Sequence, residues 1–197
     1  MSKSRITLPN PRTDSDVSLE AAIVHRRSVR RFSPHSLTLE QISQLLWAAQ
    51  GITGGKDARR ATPSAGGCHP LTFYACRDDG VWRYHAQGHL LSRHRERDVR
   101  DDLVKAALNQ KFIAQAACTF PISAIFERTT RRYGERGQLR YVPMDAGHAA
   151  QNLLLQAVAL DLASVPVGAF NDAEVKKTLA LPKEEEPLYL LPVGRPQ

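Results

Sequence analysis

The sequence predicts an α+β fold built from one domain. Helical and strand patterns are mixed along the 197 residues without the regular β-α-β alternation of a parallel sheet. Apolar residues make up 42% of the chain and charged residues 24%, which excludes a disordered or collagen-like protein. No uninterrupted run of about 18 apolar residues occurs, so no membrane-spanning helix is predicted. We expect an N-terminal arm, residues 1–17, followed by a single domain, residues 18–197.

The N-terminal half begins with a Pro/Asp/Ser-rich stretch, residues 1–15, that predicts a loose arm. Ser18 is placed to cap a short helix that runs to about Arg26. Thr38 begins a capping box, and the apolar spacing behind it predicts a helix to about Gln50. The Gly-, Pro- and Ser-rich residues 51–70 predict a loop.

The middle of the chain predicts a β-hairpin. Residues 71–76 and 81–85 have strand composition, and Asp79-Gly80 between them is a hairpin turn signal. Residues 98–117 have helical composition, and residues 119–126 predict another strand. Because proline cannot donate to a ladder, Pro121 predicts that this strand lies at an edge or starts one residue later.

The C-terminal half predicts a charged connection over residues 128–140 and then a long helix. Asp145 is placed to cap this helix, which runs to about Leu160. Its apolar residues surround it almost completely, which predicts burial at the centre of the fold or at an interface. A short helix capped by Asp172 and a strand over residues 188–193 complete the chain.

The charge pattern favours an anionic partner. The net charge is +7, with 27 Lys and Arg against 20 Asp and Glu. Arginine, the more frequent cation, binds phosphate through two parallel hydrogen bonds. A basic solvated surface and a nucleic-acid interface remain alternatives, although no helix-turn-helix, zinc-finger or RNP motif is present.

The cysteines and histidines predict neither disulfides nor a metal site. The three cysteines include no C-x-x-C pair, and the His and Cys spacings match no zinc template. An odd number of cysteines fits a reducing compartment, and the N-terminus has no signal-peptide pattern. We therefore expect a cytoplasmic protein.

Three segments have the composition of a ligand site. Residues 26–30 place three arginines and a serine together at a predicted helix end, where dipole compensation is the simpler explanation. Residues 63–70 offer small residues and backbone amides between two prolines, which would also suit a plain surface loop. Residues 163–170 offer a backbone edge, or merely a tight helix-to-strand connection.

In this order and spacing, the three segments resemble the nitroreductase family that depends on flavin mononucleotide (FMN). The R-R-S-x-R segment followed by phenylalanine is similar to the phosphate signature of the family, and P-S-A-G-x-x-x-P to its P-S-S-x-N-x-x-P loop. The sequence from Asp145 to Leu153 resembles its central helix, and the ending L-P-V-G-R-P its last strand. The G-V-W-R-Y-H segment at residues 80–85 is most similar to the SagB-type branch.

The resemblance implies a mixed sheet sandwiched by helices, in a homodimer intertwined through the central helices with FMN at the interface. The residues assigned to the phosphate are Arg26, Arg27 and Ser28, with Arg195 as an added clamp. The residue assigned to the ribityl chain or pyrimidine edge is Arg30. The residues assigned to the flavin ring are Pro166, Val167 and Gly168, near N5, and Asn109. The residues contributed over the dimethylbenzene side by the other subunit are Pro63, Ser64, Ala65 and Gly66.

The resemblance also implies the activity, a ping-pong reaction in which NADH or NADPH drives reduction of a flat acceptor such as a nitroaromatic or a quinone. The alternatives are a SagB-type azoline dehydrogenase, a non-catalytic FMN-binding protein and a basic nucleic-acid-binding protein. Arg132-Tyr133 stands where azoline-oxidising members have Lys-Tyr, and arginine does not readily release a proton. This departure favours a reductase, with Tyr133 as a hypothetical proton donor or a simple packing residue. Gly67 also replaces the asparagine of the usual loop.

Overall fold

The computed structural model describes residues 4–55 and 58–197, and seven strands form one sheet across them. The strands are β1 (Arg5–Thr7), β2 (Leu71–Arg77), β3 (Gly80–His85), β4 (Leu90–Arg95), β5 (Cys118–Ala124), β6 (Ala163–Ser164) and β7 (Glu186–Gly194). Their order in the sheet is β1-β4-β3-β2-β5-β7-β6, and each adjacent pair is antiparallel. One isolated parallel bridge joins Ser28 to Ser164.

Helices cover both faces of this sheet. They are α1 (Leu19–His25), α2 (Leu39–Gln50), α3 (Arg100–Ala106), α4 (Phe112–Gln115), α5 (Glu127–Tyr133), α6 (Val142–Ala159) and α7 (Asp172–Leu179). The apolar faces of α2 and α6 pack in one core with Trp82 and Phe120, whereas α3, α4 and α7 pack in a second core with Tyr74. The predicted α+β architecture, with a sheet between helices, is confirmed.

The predicted helix caps form as expected in the N-terminal half. Ser18 Oγ accepts a hydrogen bond from the Ala21 N–H at 3.1 Å, which satisfies one free donor at the start of α1. Thr38 and Gln41 form the reciprocal capping box at the start of α2. These hydrogen bonds span only three residues, which explains why the sequence reveals them.

The loose arm expected over residues 1–15 is wrong for residues 5–8. β1 pairs with β4, with Ile6 opposite Leu91, and the following Leu8 is buried in the core. His89 extends this attachment, since its ring contacts the carbonyl oxygen of Pro9 at 3.1 Å. Neither β1 nor β4 has a strong strand pattern of its own, so only their pairing reveals them.

Pro121 occupies an interior strand, contrary to the predicted edge position. It belongs to β5, which lies between β2 and β7. The β2–β5 register pairs Phe73 with Ile122 and Cys76 with Thr119, leaving the positions opposite Pro121 and its neighbour without ladder partners. The sheet therefore accommodates the missing N–H by a local interruption of one ladder.

The C-terminal predictions need three corrections. Part of the expected connection over residues 128–140 is helical, because α5 and a π-helical turn at Gly137–Tyr141 lie there. The long helix begins at Val142, so Asp145 lies in its first turn and is not its cap. Asn171, not Asp172, caps α7, through a hydrogen bond from the Glu174 N–H to Asn171 Oδ1.

Candidate functional site

The arginine segment, residues 26–30, lies beside β6, the strand at one edge of the sheet. The Val29 N–H donates to the Ser164 carbonyl at 3.0 Å, next to the parallel bridge from Ser28. Farther along, the Ser33 N–H donates to the carbonyl of Arg195 at 2.9 Å. The fold thus brings the arginine segment, the start of the 163–168 segment and Arg195 to one edge of the sheet.

The three guanidiniums of this segment have different partners. Arg27 donates from Nη1 to the carbonyls of Val24 and Arg26, each at 2.8 Å, so it compensates the end of α1. Arg30 lies 5.8 Å from the ring centroid of Phe112. Arg26 is half-buried, and within residues 4–55 and 58–197 its guanidinium has no carboxylate partner. Dipole compensation therefore accounts for Arg27 but leaves Arg26 and Arg30 with uncompensated charge.

The 163–168 segment presents backbone beside these arginines. Val167 is buried and exchanges hydrogen bonds with Leu190 of β7, at 2.9 and 3.0 Å. Gly168 next to it is exposed, and a Cβ there would approach only the Tyr189 ring, at 3.7 Å. The sheet thus fixes Val167 and leaves Gly168, with half-buried Pro166, at the surface.

Asn109 lies near the same segment. It is exposed and has a positive φ of 61°, while the adjacent Gln110 donates from Nε2 to the Ala169 carbonyl at 2.8 Å. Asn109 tolerates this backbone conformation better than most residues. The first group of predicted site residues is therefore assembled from four separate parts of the chain: Arg26, Arg27, Ser28, Arg30, Asn109, Pro166, Val167, Gly168 and Arg195.

A second group is built around the 63–66 loop and α6. Ser64 Oγ donates to Asp145 Oδ2 at 2.6 Å, and the Ala65 N–H donates to Asp145 Oδ1 at 3.4 Å. Asp145 is only 4% exposed, so its carboxylate is a buried anchor for this loop. Pro63, Ser64 and Ala65 line a surface pocket of about 260 Å³ together with residues of α6.

Tyr133 lies at the end of α5 over the same loop. A Cβ added to Gly66 would lie 2.5 Å from the Tyr133 hydroxyl oxygen and 2.8 Å from Nη1 of Arg132. Arg132 Nη1 also donates to the Gly66 carbonyl at 3.3 Å, and Tyr141 packs edge-on against Tyr133. Gly66 has a positive φ of 59°, so both its backbone and its surroundings favour glycine.

His69 closes the back of this loop in a polar setting. The backbone N–H of His69 donates to Ser64 Oγ at 2.9 Å, and the residue has a positive φ of 44°. Burial lowers the pKa of the imidazole, repulsion from Arg60 adds to the effect, and attraction to Asp145 opposes it. These effects together disfavour the charged form of the ring, and its buried Nδ1 has no hydrogen-bond partner in the described part of the chain.

No hydrogen bond joins the two groups within the described part of this chain. Across the described ranges, no hydrogen bond links the arginine segment or the 163–168 segment to the 63–66 loop. Sequence reasoning missed Asp145 as the loop anchor, because a carboxylate early in a helix is ordinarily read as a cap. It also missed Phe112 beneath Arg30, for which the sequence has no signal.

The described residues contain no grouping of three or more His, Cys, Asp or Glu placed to hold a metal ion. Among them, no helix is both long and apolar enough to cross a membrane.

Comparison with known proteins gives consistent matches. The model of the nitroreductase family matches residues 23–195. MJ1384 of Methanocaldococcus jannaschii, which is named as a nitroreductase, is 43% identical over 186 residues, or 91% of this chain and 92% of that protein. A crystal structure from Ralstonia eutropha, also named as a nitroreductase, has a TM-score of 0.91 at 28% identity, covering 100% of this chain and 91% of that one.

A third relative is named as a trifolitoxin-processing protein. The trifolitoxin-processing protein TfxB of Rhizobium leguminosarum is 29% identical over 155 residues, which cover 66% of this chain and 39% of TfxB. This similarity fits the SagB-type branch indicated by the sequence. With the fold and the family model in agreement, the chain belongs to the nitroreductase family and is an oxidoreductase.

Proposed function

We propose that the chain is an FMN-dependent oxidoreductase in which NADH or NADPH drives reduction of a flat acceptor, such as a nitroaromatic or a quinone. The observation that carries the proposal is the uncompensated charge of Arg26 and Arg30 beside the 163–168 segment. An anionic cofactor would supply the missing counter-charge through charge-assisted hydrogen bonds, with its phosphate at Arg26 and its ribityl chain or pyrimidine edge at Arg30. The residues present therefore fit FMN, and its phosphate would be held by Arg26, Arg27 and Ser28, with Arg195 close by.

The remaining contacts follow from the same placement. Arg30 would bind the ribityl chain or the pyrimidine edge, where a fixed positive charge stabilises negative charge that develops during reduction. The flavin ring would be lined near N5 by Pro166, Val167 and Gly168. Asn109 would contact it from the connection between α3 and α4. When bound, FMN supplies the redox chemistry, accepting a hydride from the nicotinamide and passing electrons to the acceptor. The protein positions both partners and excludes water.

The proposal includes a homodimer that completes the site. Pro63, Ser64, Ala65 and Gly66 would be contributed by the partner subunit, consistent with the separation of the two groups in one chain. α1 exposes 62% of Leu19, 54% of Ile23 and 60% of Val24, an unusual amount for large apolar side chains on one short helix. An apolar cleft of about 420 Å³ lies beside this helix, lined by residues of α1, α2 and α6. These surfaces suit a partner subunit.

Tyr133 would act as a proton donor to the acceptor. Its position at Gly66, in the loop assigned to the flavin, supports this role, whereas its edge-on contact with Tyr141 equally suits packing. Azoline oxidation is the second candidate function, because the chain is similar to the trifolitoxin-processing protein TfxB and Arg132-Tyr133 lies at the loop. The arginine, which does not readily release a proton, favours the reductase.

An anaerobic flavin titration tests the proposed function. Purified protein should be yellow, and NADH or NADPH should bleach its flavin absorbance, which a quinone or nitroaromatic should then restore. Protein that binds no added FMN would contradict the proposal. Bound flavin that neither nicotinamide reduces, but that an azoline-containing peptide does, would select the second candidate.

A further inference from the structure

A separate cavity of about 220 Å³ opens where β2 and β3 diverge. These strands pair from Tyr74 and Arg83 to the hairpin turn, whereas Phe73 pairs with β5 and His85 pairs with β4. None of the residues proposed to hold FMN lines this cavity. Its polar lining residues include Gln50, Arg60, Thr72, Arg83, His85 and Arg128.

The lining carries two uncompensated positive charges. Arg83 is neutralised by Glu185, a fully buried carboxylate, at 2.8 Å. Arg60 and Arg128 instead donate to backbone carbonyls, those of Gln50 at 3.1 Å and His69 at 3.2 Å. Neither forms an ion pair with any carboxylate in residues 4–55 or 58–197.

The position of Arg60 makes this arrangement unfavourable without a counter-charge. The side chain is half-buried, and burial is the main cause that lowers the pKa of its guanidinium; Tyr84 opposes this shift, and repulsion from Arg128 adds to it. A desolvated cation that lacks an opposite charge loses hydration without a compensating attraction. Burial lowers the pKa of His85, and repulsion from Arg83 and Arg5 adds to the effect, so the charged form of this ring is disfavoured.

We propose that Arg60 and Arg128 bind a small oxyanion, either a phosphate or a carboxylate group, in this cavity. Guanidinium groups match such oxygens in planar, two-bond geometry. The volume is several times the ~30 Å³ that one water occupies in the liquid, yet below the roughly 300 Å³ at which pockets for drug-sized ligands begin. The cavity therefore suits a compact anion rather than a nucleotide.

The cavity adjoins the 63–66 loop without being part of the proposed flavin site. Arg128 Nη1 contacts the His69 carbonyl, and the N–H of the same histidine contacts Ser64 Oγ. The oxyanion site does not depend on the proposed function, because its two arginines differ from those assigned to the FMN phosphate. Failure of one proposal is thus distinguishable from failure of the other.

Thermal unfolding at constant ionic strength tests the proposal, with inorganic phosphate and malonate as separate probes against chloride. The protein is first saturated with FMN, and its Arg26→Ala/Arg30→Ala variant is measured in parallel to exclude the arginine segment as the anion site. At least one of the two probes should raise the melting temperature of both proteins. The more effective probe identifies the preferred head group.

The variants Arg60→Gln and Arg128→Gln should each weaken the apparent affinity for that probe about tenfold or more. Arg131→Gln is the matched control, since Arg131 lies on the same helix as Arg128, is exposed and pairs with Glu127; it should leave the affinity unchanged. Because Arg128 is exposed, its variant is expected to fold even if the Arg60 variant does not. The proposal would be overturned if neither probe stabilised the protein, or if the stabilisation survived in the Arg128→Gln variant.

Discussion

Replacing Arg26 and Arg30 together by alanine should nearly abolish FMN retention while leaving the fold intact. Arg26 has no side-chain partner among the residues described, and Arg30 has only the contact with the Phe112 ring. An exposed cation–π contact is worth about 0.5–1 kcal/mol, so the cost to folding is small. Arg26 would donate to the phosphate and Arg30 to the ribityl chain or pyrimidine edge. Each such charge-assisted hydrogen bond contributes about 1.5–3 kcal/mol, so losing two costs about 3–6 kcal/mol of binding free energy.

This loss corresponds to a dissociation constant about 10² to 10⁴ times larger. The assay is a titration of FMN fluorescence quenching with apoprotein, together with the flavin content after gel filtration. The matched control is Arg97→Ala/Arg131→Ala, which removes the same charge from exposed ion pairs with Asp102 and Glu127. An unchanged dissociation constant in the Arg26/Arg30 variant, with the control also unchanged, would refute the assignment of these two arginines to FMN.

Four further substitutions test the loop and the N-terminal attachment. Gly66→Ala and Gly67→Ala should each cost about 1–2 kcal/mol, because φ is +59° and +66°, but only the first displaces Tyr133 and lowers acceptor turnover. Equal turnover in both variants would show that Tyr133 takes no part in the reaction. Asp145→Asn should lower the free energy of unfolding by about 1–3 kcal/mol, measured by urea denaturation, since a buried acceptor of two hydrogen bonds is changed. An unchanged urea midpoint would show that this carboxylate does not anchor the loop. Burial lowers the pKa of His89, although the Pro9 carbonyl opposes the shift. As pH falls below about 6.5, the imidazole therefore takes up a proton more readily in the unfolded chain than in the folded one. The stability that neutral His89 contributes is therefore present above that pH and lost below it, and His89→Gln should flatten the decline in unfolding free energy. An equally steep decline in the variant would assign it to other groups.

Much of the local structure could be predicted because its determinants lie within a few residues of one another. The Ser18 cap, the capping box at Thr38 and the hairpin at Asp79-Gly80 all form as their short-range patterns indicate. The order and spacing of the ligand-site segments likewise sufficed to indicate the family. The assignments of individual residues to FMN stay predictions, which the titrations above address.

Other features depended on partners distant in sequence. Pro121 is tolerated inside the sheet because the β2–β5 ladder is interrupted opposite it, which no local rule encodes. Asp145 looked like a helix cap, but its carboxylate accepts hydrogen bonds from Ser64 and Ala65, about eighty positions earlier in the chain. The short strands β1 and β4 can be recognised only from their pairing with each other in the folded sheet.

The sequence by itself determined the α+β class, the helix starts, the excess of arginine and the motif order that identifies the family. Only the tertiary structure decided which arginines keep an uncompensated charge. Arg27 donates to helix carbonyls and Arg83 pairs with a buried carboxylate, whereas Arg26, Arg60 and Arg128 meet no carboxylate among the residues that the structure describes. Composition fixes how many charges a chain carries. Their partners are set by strand pairing and packing, which bring together groups that the sequence keeps far apart.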